Sequence, residues 1–173
     1  MTELKPYNFC ASCGSKLNEP GEEAEKECPS CKRIWYRSSA PTAGAAIVKD
    51  GKALVTQRGA EPEKGRFDVP GGFLKAGEDP IEGLRRELDE ELKIEVDVSM
   101  DDCLQMVPHE YAGTADWVLS IGFKARLTKG EPKPASDVVA ARWVTLEELD
   151  TVDFAWEHDR DLVRRALQAE AKE

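Results

Sequence analysis

Residues 80–92 have the pattern that most restricts the fold, because their apolar side chains recur at helical spacing. At about 100° per residue, one narrow stripe of this helix is apolar and is predicted to be buried. The stripe consists of Ile81, Leu84, Leu88 and Leu92. The chain must therefore provide another layer on which this helix packs.

The same helix has an acidic sector beside the apolar stripe. Residues 85–92, RRELDEEL, place four carboxylates in eight residues. Glu87 and Glu91 lie four residues apart without a basic partner at helical spacing, so they repel each other by a few tenths of a kcal/mol. Glu90 is the one member of this sector with a basic residue at helical spacing, because Arg86 lies four residues before it. The sector indicates either a site for Mg2+, which prefers oxygen ligands, or a solvated face paired by tertiary contacts.

The other segments predict a mixed β-sheet with two packed helices, an α/β sandwich. Two apolar runs surround Asp50-Gly51 in residues 43–58, which indicates a β-hairpin because both turn residues tolerate positive φ. Residues 66–74 indicate a short strand followed by a Gly-Gly loop, and residues 157–171 indicate a C-terminal helix. Two more strands are predicted at residues 116–127 and 138–146.

Two C-x2-C pairs precede these segments and are separated by 14 residues. The pairs are Cys10 with Cys13 and Cys28 with Cys31. Each pair turns two thiolates toward one point, so the four sulfurs suit a structural zinc site; two disulfides are the alternative. The fifth cysteine, Cys103, is expected to be a small core residue. We expect a zinc ribbon over residues 1–38 and a second domain over residues 39–173.

The charge of the chain argues against some classes of partner. The 173 residues have a formal net charge of -10, which repels nucleic acids and anionic membranes, so an anionic ligand would need a cation to bind. The first residues, MTELKPYNF, are mixed and polar, and no window is apolar enough to span a bilayer. We therefore expect a cytoplasmic protein with reduced thiols, which argues against the disulfides.

The helix and the segment before it resemble the Nudix box. The residues are Gly72-x5-Glu78-x7-Arg86-Glu87-Leu88-x-Glu90-Glu91-x-Lys93-Ile94. The signature is G-x5-E-x7-R-E-U-x-E-E-x-G-U, where U is a bulky aliphatic residue, and every fixed position matches except the last glycine. The stretches FDVPGGFLKAGE and ARWVTLEEL are also typical of this family, so the resemblance extends over about residues 41–165. It implies a Nudix-type α/β/α sandwich behind the zinc ribbon.

The two ends of the box have different requirements. Gly72 has no Cβ and lets the backbone approach a ligand, and the resemblance implies that its carbonyl faces a metal ion. Lys93 replaces a glycine that would be left-handed, which costs lysine about 1 kcal/mol unless the helix ends differently. Neither a strained lysine nor a different helix end removes a metal ligand, so we expect the chain to be active.

The resemblance implies hydrolysis, with Mg2+ or Mn2+, of the pyrophosphate bond in a nucleoside diphosphate linked to another group. Positioning and charge stabilisation would suffice for attack by water on one phosphorus. Glu87 and Glu91 would be the main metal ligands, and Glu90 a further ligand or the general base. Arg86 would hold these glutamates by salt bridges. Glu78 would orient the helix, join the metal shell or contact the substrate. The catalytic group would thus be Glu90, Glu91 and Arg86.

Two residues outside the box are candidates for substrate contact. Asp137 lies where members of this family often have a glutamate that is a ligand or base, with a plain loop aspartate as the alternative. Arg58 ends the predicted hairpin and would reach a substrate phosphate. His109 and His158 are expected at the surface. The aromatic side chains that would stack on a base, or lie in the core instead, are Trp35, Tyr111, Trp117 and Phe123.

The identity of the substrate stays open. The cysteine pairs are similar to those of the NADH pyrophosphatase branch, but its stretch Ser-Gln-Pro-Trp-Pro-Phe-Pro-x-Ser is replaced here by MVPHEYAGTADWVLSIGF. ADP-ribose, another dinucleotide and a nucleotide sugar are the candidates. The alternatives are a Nudix domain that senses or scaffolds a nucleotide without turnover, and a nucleic-acid-binding zinc protein, which the net charge opposes. Nudix enzymes are often dimers, so a homodimer is a further expectation.

Overall fold

The computed structural model of the chain describes residues 7–22, 25–36, 38–111 and 116–172. The N-terminal part has two short antiparallel strands, β1 (Lys26–Glu27) and β2 (Ile34–Trp35). Its small core is formed by Cys10, Leu17 and Cys28, against which Tyr7 and Trp35 pack. Two of the three buried residues in this small core are therefore cysteines.

From residue 40 onward, the described residues form one mixed sheet of eight strands with two α-helices. The strands are β3 (Ala40–Lys49), β4 (Lys52–Arg58), β5 (Phe67–Asp68), β6 (Gly71–Phe73), β7 (Glu95–Asp97), β8 (Cys103–Glu110), β9 (Trp117–Lys129) and β10 (Val138–Val144). The helices are α1 (Pro80–Leu92) and α2 (Glu157–Glu170). The order β10-β4-β3-β9-β7 has β3 parallel to β9 and antiparallel neighbours elsewhere.

The two faces of this sheet have separate cores, so the predicted sandwich of helices around a mixed sheet is confirmed. Side chains alternate along β3: Ala45 and Ile47 join the core under α1, while Ala46 and Val48 join the core under α2. The α1 stripe that the sequence predicted is buried, with Leu84, Leu88 and Leu92 fully inaccessible. From α2, the buried apolar residues are Leu162, Val163, Ala166 and Leu167.

The hairpin between β3 and β4 is also confirmed, with Asp50 and Gly51 at φ values of 52° and 70°. Three segments differ from the prediction, and one of them is strand β7, which was not predicted. The Gly-Gly segment is not a loop, because Gly71 and Gly72 pair with β3 as part of β6. Strand β8 was not predicted; its Pro108 interrupts the usual strand pattern and is tolerated because β8 pairs with β9 alone among the described strands.

The long strand β9 explains how the sheet accommodates these additions. Strand β3 pairs along one edge of β9, while β8 and β7 pair with successive parts of its other edge.

None of the helices in the described part of the chain is both long enough and apolar enough to cross a membrane.

Helix α1 begins and ends with clear capping structures. Asp79 precedes it and its Oδ1 accepts a hydrogen bond from the Ile81 backbone N–H at 2.9 Å, with Pro80 in the first turn. At the other end Lys93 has φ 58° and ψ 42°, and its N–H donates to the Asp89 carbonyl at 3.2 Å. The left-handed position that the Nudix signature fills with glycine is therefore kept here with a lysine.

Replacing Lys93 by glycine tests this conformational cost. Lys93→Gly should raise the free energy of unfolding by about 1 kcal/mol, because glycine adopts positive φ without the Cβ clash. Urea denaturation measures the change. Lys93→Ala is the matched control, since it also removes the exposed ion pair with Asp89 but keeps the Cβ. Equal stabilities of the glycine and alanine variants would contradict the argument.

Candidate active site

Two adjacent glycines bring strand β6 against the acidic sector of α1. A Cβ built on Gly72 would lie 2.6 Å from the carboxyl carbon of Glu87, closer than a side chain allows. Gly71 has φ 146°, and its backbone N–H donates to Glu91 Oε2 at 3.2 Å. The Gly-Gly segment thus seats two of the predicted metal ligands.

Arg86 ties this helix to the preceding loop. Its Nε and Nη2 donate to the two oxygens of Glu78 at 2.8 and 2.9 Å, and its Nη1 donates to Glu87 Oε1. The guanidinium holds the pKa of Glu78 down to about 2. Arg86 also lies 3.7 Å from Glu90, so the local pair predicted from spacing is present but is the longest of the three.

Glu91 is the most unusual carboxylate of the group. It is 8% exposed, and within the described residues it has no salt bridge, with the Gly71 N–H as its hydrogen-bond donor. Burial raises its pKa to about 8, and the negative charges of Asp68 and Asp137 act in the same direction. A buried carboxylate in this state is stabilised by binding either a proton or a cation.

Glu90 and Asp137 lie nearer to solvent. The Glu90 side chain is 53% exposed and is outside the lining of the adjoining cavity. Asp137 is exposed, lines the cavity and lies immediately before β10. The structure therefore brings Glu87, Glu91 and Asp137 to one cavity and leaves Glu90 beside it.

Arg58 is held by an acid that the sequence analysis did not single out. Its Nη1 donates to Asp68 Oδ2 at 2.8 Å, its Nε donates to the Pro62 carbonyl at 2.8 Å, and Thr56 Oγ1 donates to Asp68 Oδ1 at 2.7 Å. The guanidinium also lies 4.7 Å from the ring centroid of Trp156. Contact of Arg58 with a substrate phosphate stays a prediction. The signal for Asp68 was its position two residues before the Pro70-Gly71-Gly72 segment.

The cavity has a volume of about 380 Å³ and runs from the glutamates to the start of α2. His109 and His158 line it, so their predicted surface positions are wrong: β8 and α2 bring the two rings to 4.4 Å. Tyr111 also lines it. The other proposed stacking residues do not: Phe123 is fully buried in the core and Trp35 packs on the cysteines. Neither Trp156 nor Asp159 had been singled out, because only tertiary packing shows that the start of α2 faces the site.

The four N-terminal cysteines meet at one point, as predicted. Their sulfurs all lie within 4.8 Å of one another, with 3.6 Å between Cys10 and Cys31 and 3.5 Å between Cys13 and Cys28. A tetrahedral ion with Zn–S bonds of about 2.3 Å requires sulfurs about 3.8 Å apart. Burial raises the pKa of Cys10, but backbone hydrogen bonds from Ser12 and Cys13 outweigh it and lower the pKa to about 6, which favours the thiolate. No two of the five cysteine sulfurs are bonded to each other, and the arrangement of the four N-terminal sulfurs fits zinc.

Comparison with known proteins shows which fold and which family the chain has. A crystal structure of a NUDIX hydrolase from Nitrosomonas europaea superposes with a TM-score of 0.74 over 96% of this chain and 93% of that chain, at 20% identity. The NUDIX domain family model matches residues 39–166, which is most of the chain. The chain therefore belongs to the NUDIX domain family.

Two curated relatives share sequence with the chain. The NAD-capped RNA hydrolase NudC of Pseudomonas aeruginosa is 28% identical over 146 residues, which are 82% of this chain and 49% of that protein. The putative 8-oxo-dGTP diphosphatase 2 of Mycobacterium tuberculosis is 40% identical over 111 residues, which are 63% of this chain and 75% of that protein. The chain thus spans about half the length of the first of these relatives.

The raised pKa of Glu91 predicts a dependence of stability on pH. Its pKa rises from an ordinary 4.5 to about 8 on folding, so the folded chain holds a proton that the unfolded chain has released. In buffer without added Mg2+, stability should therefore fall as pH rises from 4.5 to about 8. Glu91→Gln should remove this part of the decrease and be the more stable protein above pH 8. Urea denaturation over this pH range measures it.

Glu82→Gln is the matched control, because Glu82 is an exposed glutamate of the same helix, paired only locally with Arg85. It should leave the pH profile of the wild type unchanged. Added Mg2+ should stabilise the wild type and the Glu82 variant but not Glu91→Gln. Identical pH profiles for all three proteins would show that Glu91 ionises without cost.

The cysteine cluster predicts one zinc ion per chain. Cys10→Ser should lose the ion and unfold the β1–β2 module, while the eight-stranded sheet stays folded because its two cores contain none of these cysteines. Metal analysis gives the stoichiometry, and hydrogen exchange locates the unfolding. Cys103→Ser should keep its zinc, since Cys103 lies on β8. Disulfides in freshly prepared protein would contradict the zinc assignment.

Proposed function

We propose that the chain hydrolyses the pyrophosphate bond of a nucleoside diphosphate linked to a second group, with Mg2+ or Mn2+ as cofactor. The observation that supports this most is Glu91, a buried carboxylate without a basic partner in the described part of the chain. It lies beside Glu87 at the wall of a cavity large enough for a small-molecule ligand. Two carboxylates converging on one cavity are the oxygen donors that a hard divalent cation prefers.

The residues of the chain have distinct tasks in this reaction. Glu87 and Glu91 would hold the cation, and the Gly72 carbonyl would complete that side of the site. Arg86 keeps Glu87 in place, and Glu78 serves Arg86: both oxygens of Glu78 already accept hydrogen bonds from it. We therefore assign Glu78 an orienting task and not a place among the ligands or in substrate contact.

The cation, when bound, neutralises charge on the leaving phosphate and makes water more acidic. The protein must then accept a proton from the attacking water. Glu90 and Asp137 are the candidates with solvent-accessible carboxylates close to the cavity. Arg58 would contact a substrate phosphate while it stays hydrogen-bonded to Asp68. Because positioning and electrostatics dominate phosphoryl transfer, the site needs no covalent nucleophile.

The names of the two relatives give different substrates, NAD-capped RNA and 8-oxo-dGTP. They support the class of reaction and leave the substrate of this chain to be found. The net charge of -10 favours a small nucleotide over a long polyanion. A suitable panel contains ADP-ribose, NADH, a nucleotide sugar, 8-oxo-dGTP and a short NAD-capped RNA.

Turnover with Glu91→Gln tests the proposal. With Mg2+ and the substrate that the wild type hydrolyses, this variant should lose activity by about 100-fold or more, because a ligand for the cation is removed while the cavity keeps its shape. Glu82→Gln should keep the wild-type rate. Circular dichroism confirms that both variants are folded.

Equal rates of the wild type and Glu91→Gln would refute the role of Glu91. A wild type that is stabilised thermally by nucleotides but releases no product from any member of the panel would favour the sensing or scaffold alternative. The pair of measurements, thermal shift and product release, therefore separates an enzyme from a binding domain.

A further inference from the structure

We infer that the end of the cavity formed by His109, Tyr111, Trp156 and His158 is a binding site for a nucleobase. This inference rests on the proposed function, because it assigns the part of the nucleotide that lies away from the glutamates. These four residues and Glu87 line one continuous cavity. A ligand with its diphosphate at Glu87 and Glu91 can therefore reach the aromatic end.

The four rings come together from two distant parts of the chain. His109 and Tyr111 lie at the end of β8, and Trp156 and His158 lie at the start of α2. The Tyr111 and Trp156 rings are 6.0 Å apart and nearly parallel at 16°, and the His109 and His158 rings are 4.4 Å apart. Apolar ring faces lining an open cavity are suited to stacking on a flat ligand.

Surrounding contacts hold this end of the cavity in place. Arg58 lies 4.7 Å from the Trp156 ring centroid and is itself fixed by Asp68. Gln105 donates to the His158 carbonyl at 2.7 Å, which ties β8 to the start of α2. The platform is therefore preorganised by hydrogen bonds and packing, and little ordering is needed when a ligand binds.

The histidines are uncharged parts of this platform. His109 Nδ1 lies 3.1 Å from the Glu110 carbonyl and must donate to it, so Nε2, at 3.0 Å from Ser120 Oγ, accepts from that hydroxyl. Ser120 in turn accepts from Thr42 at 3.2 Å. Burial lowers the pKa of His158 to about 4, and it is therefore neutral at physiological pH.

Asp159 adds a polar group to this otherwise aromatic end. It is 6% exposed, lines the cavity and lies 3.5 Å from His158 Nε2. A hydrocarbon chain would place apolar surface against this buried carboxyl. A further phosphate would place a second acid beside it, where Arg58 at the Trp156 ring is already paired with Asp68. A nucleobase supplies both a flat face and polar edges, so it fits the combination.

Ligand-observed saturation-transfer NMR with free nucleosides tests the site without requiring turnover. Adenosine, guanosine, cytidine and uridine are added to the full chain without Mg2+, with ribose 5-phosphate as the base-free control. At least one nucleoside should receive saturation on its base protons, and ribose 5-phosphate should receive none. Trp156→Leu should abolish the transfer, and Trp117→Leu should keep it, because Trp117 is an exposed tryptophan outside the cavity.

Steady-state kinetics give an independent measurement on the substrate found in the panel. Trp156→Leu should raise KM by about 10- to 100-fold, the usual contribution of one base–aromatic stack. Trp117→Leu should leave KM unchanged. Should Trp156→Leu fail to fold, Tyr111→Leu takes its place, with the same expected increase.

The outcomes separate this inference from the proposed function. Absence of saturation transfer from every nucleoside, or equal transfer in the Trp156 and Trp117 variants, overturns the base site even if a diphosphate is hydrolysed. Transfer to ribose 5-phosphate comparable with that to nucleosides also overturns it. Base-dependent transfer in a chain that hydrolyses nothing supports the base site and refutes the proposed function.

Discussion

The contact between Arg86 and Glu78 is the interaction on which the site depends. Two hydrogen bonds in fixed geometry join the middle of α1 to the loop that precedes it. The same guanidinium donates to Glu87, so its third contact sets the direction of a proposed metal ligand. Because strand β6, which precedes this loop, contains the two glycines that pack on Glu87 and Glu91, the strand, loop and helix position the carboxylates as one unit.

This unit concentrates negative charge where burial makes it unfavourable. Glu91 and Asp68 are both removed from solvent, and Asp68 has Arg58 as a partner while Glu91 has none among the described residues. A protein that needed only stability would place an apolar side chain at Glu91. The unfavourable ionisation is instead available to a cation, whose binding would relieve it. In the proposed reaction, the stability lost by burying Glu91 is therefore recovered when a cation binds.

Sequence reasoning succeeded where the determining contacts are local. The periodicity of α1 and the Asp50-Gly51 turn depend on residues within a few positions of one another, and each is present as predicted. The cysteine cluster was predictable because each C-x2-C pair is itself local. The predictions failed where position depends on distant segments. His109 and His158 were expected at the surface, and Trp156 and Asp159 were not considered, because their approach to the glutamates depends on how β8 and α2 pack on the sheet.

This division also separates two tasks within the cavity. The carboxylates come from β6 and α1, adjacent in sequence and joined by short-range contacts, whereas the aromatic end comes from β8 and α2, which meet only in the folded sheet. Changes at the start of α2 can therefore alter which group fits the cavity without moving Glu87 or Glu91. Arg58 is the exception, because it contacts Trp156 on one side and Asp68 on the other. Arg58 therefore links the proposed base site to the acidic residues of the cavity.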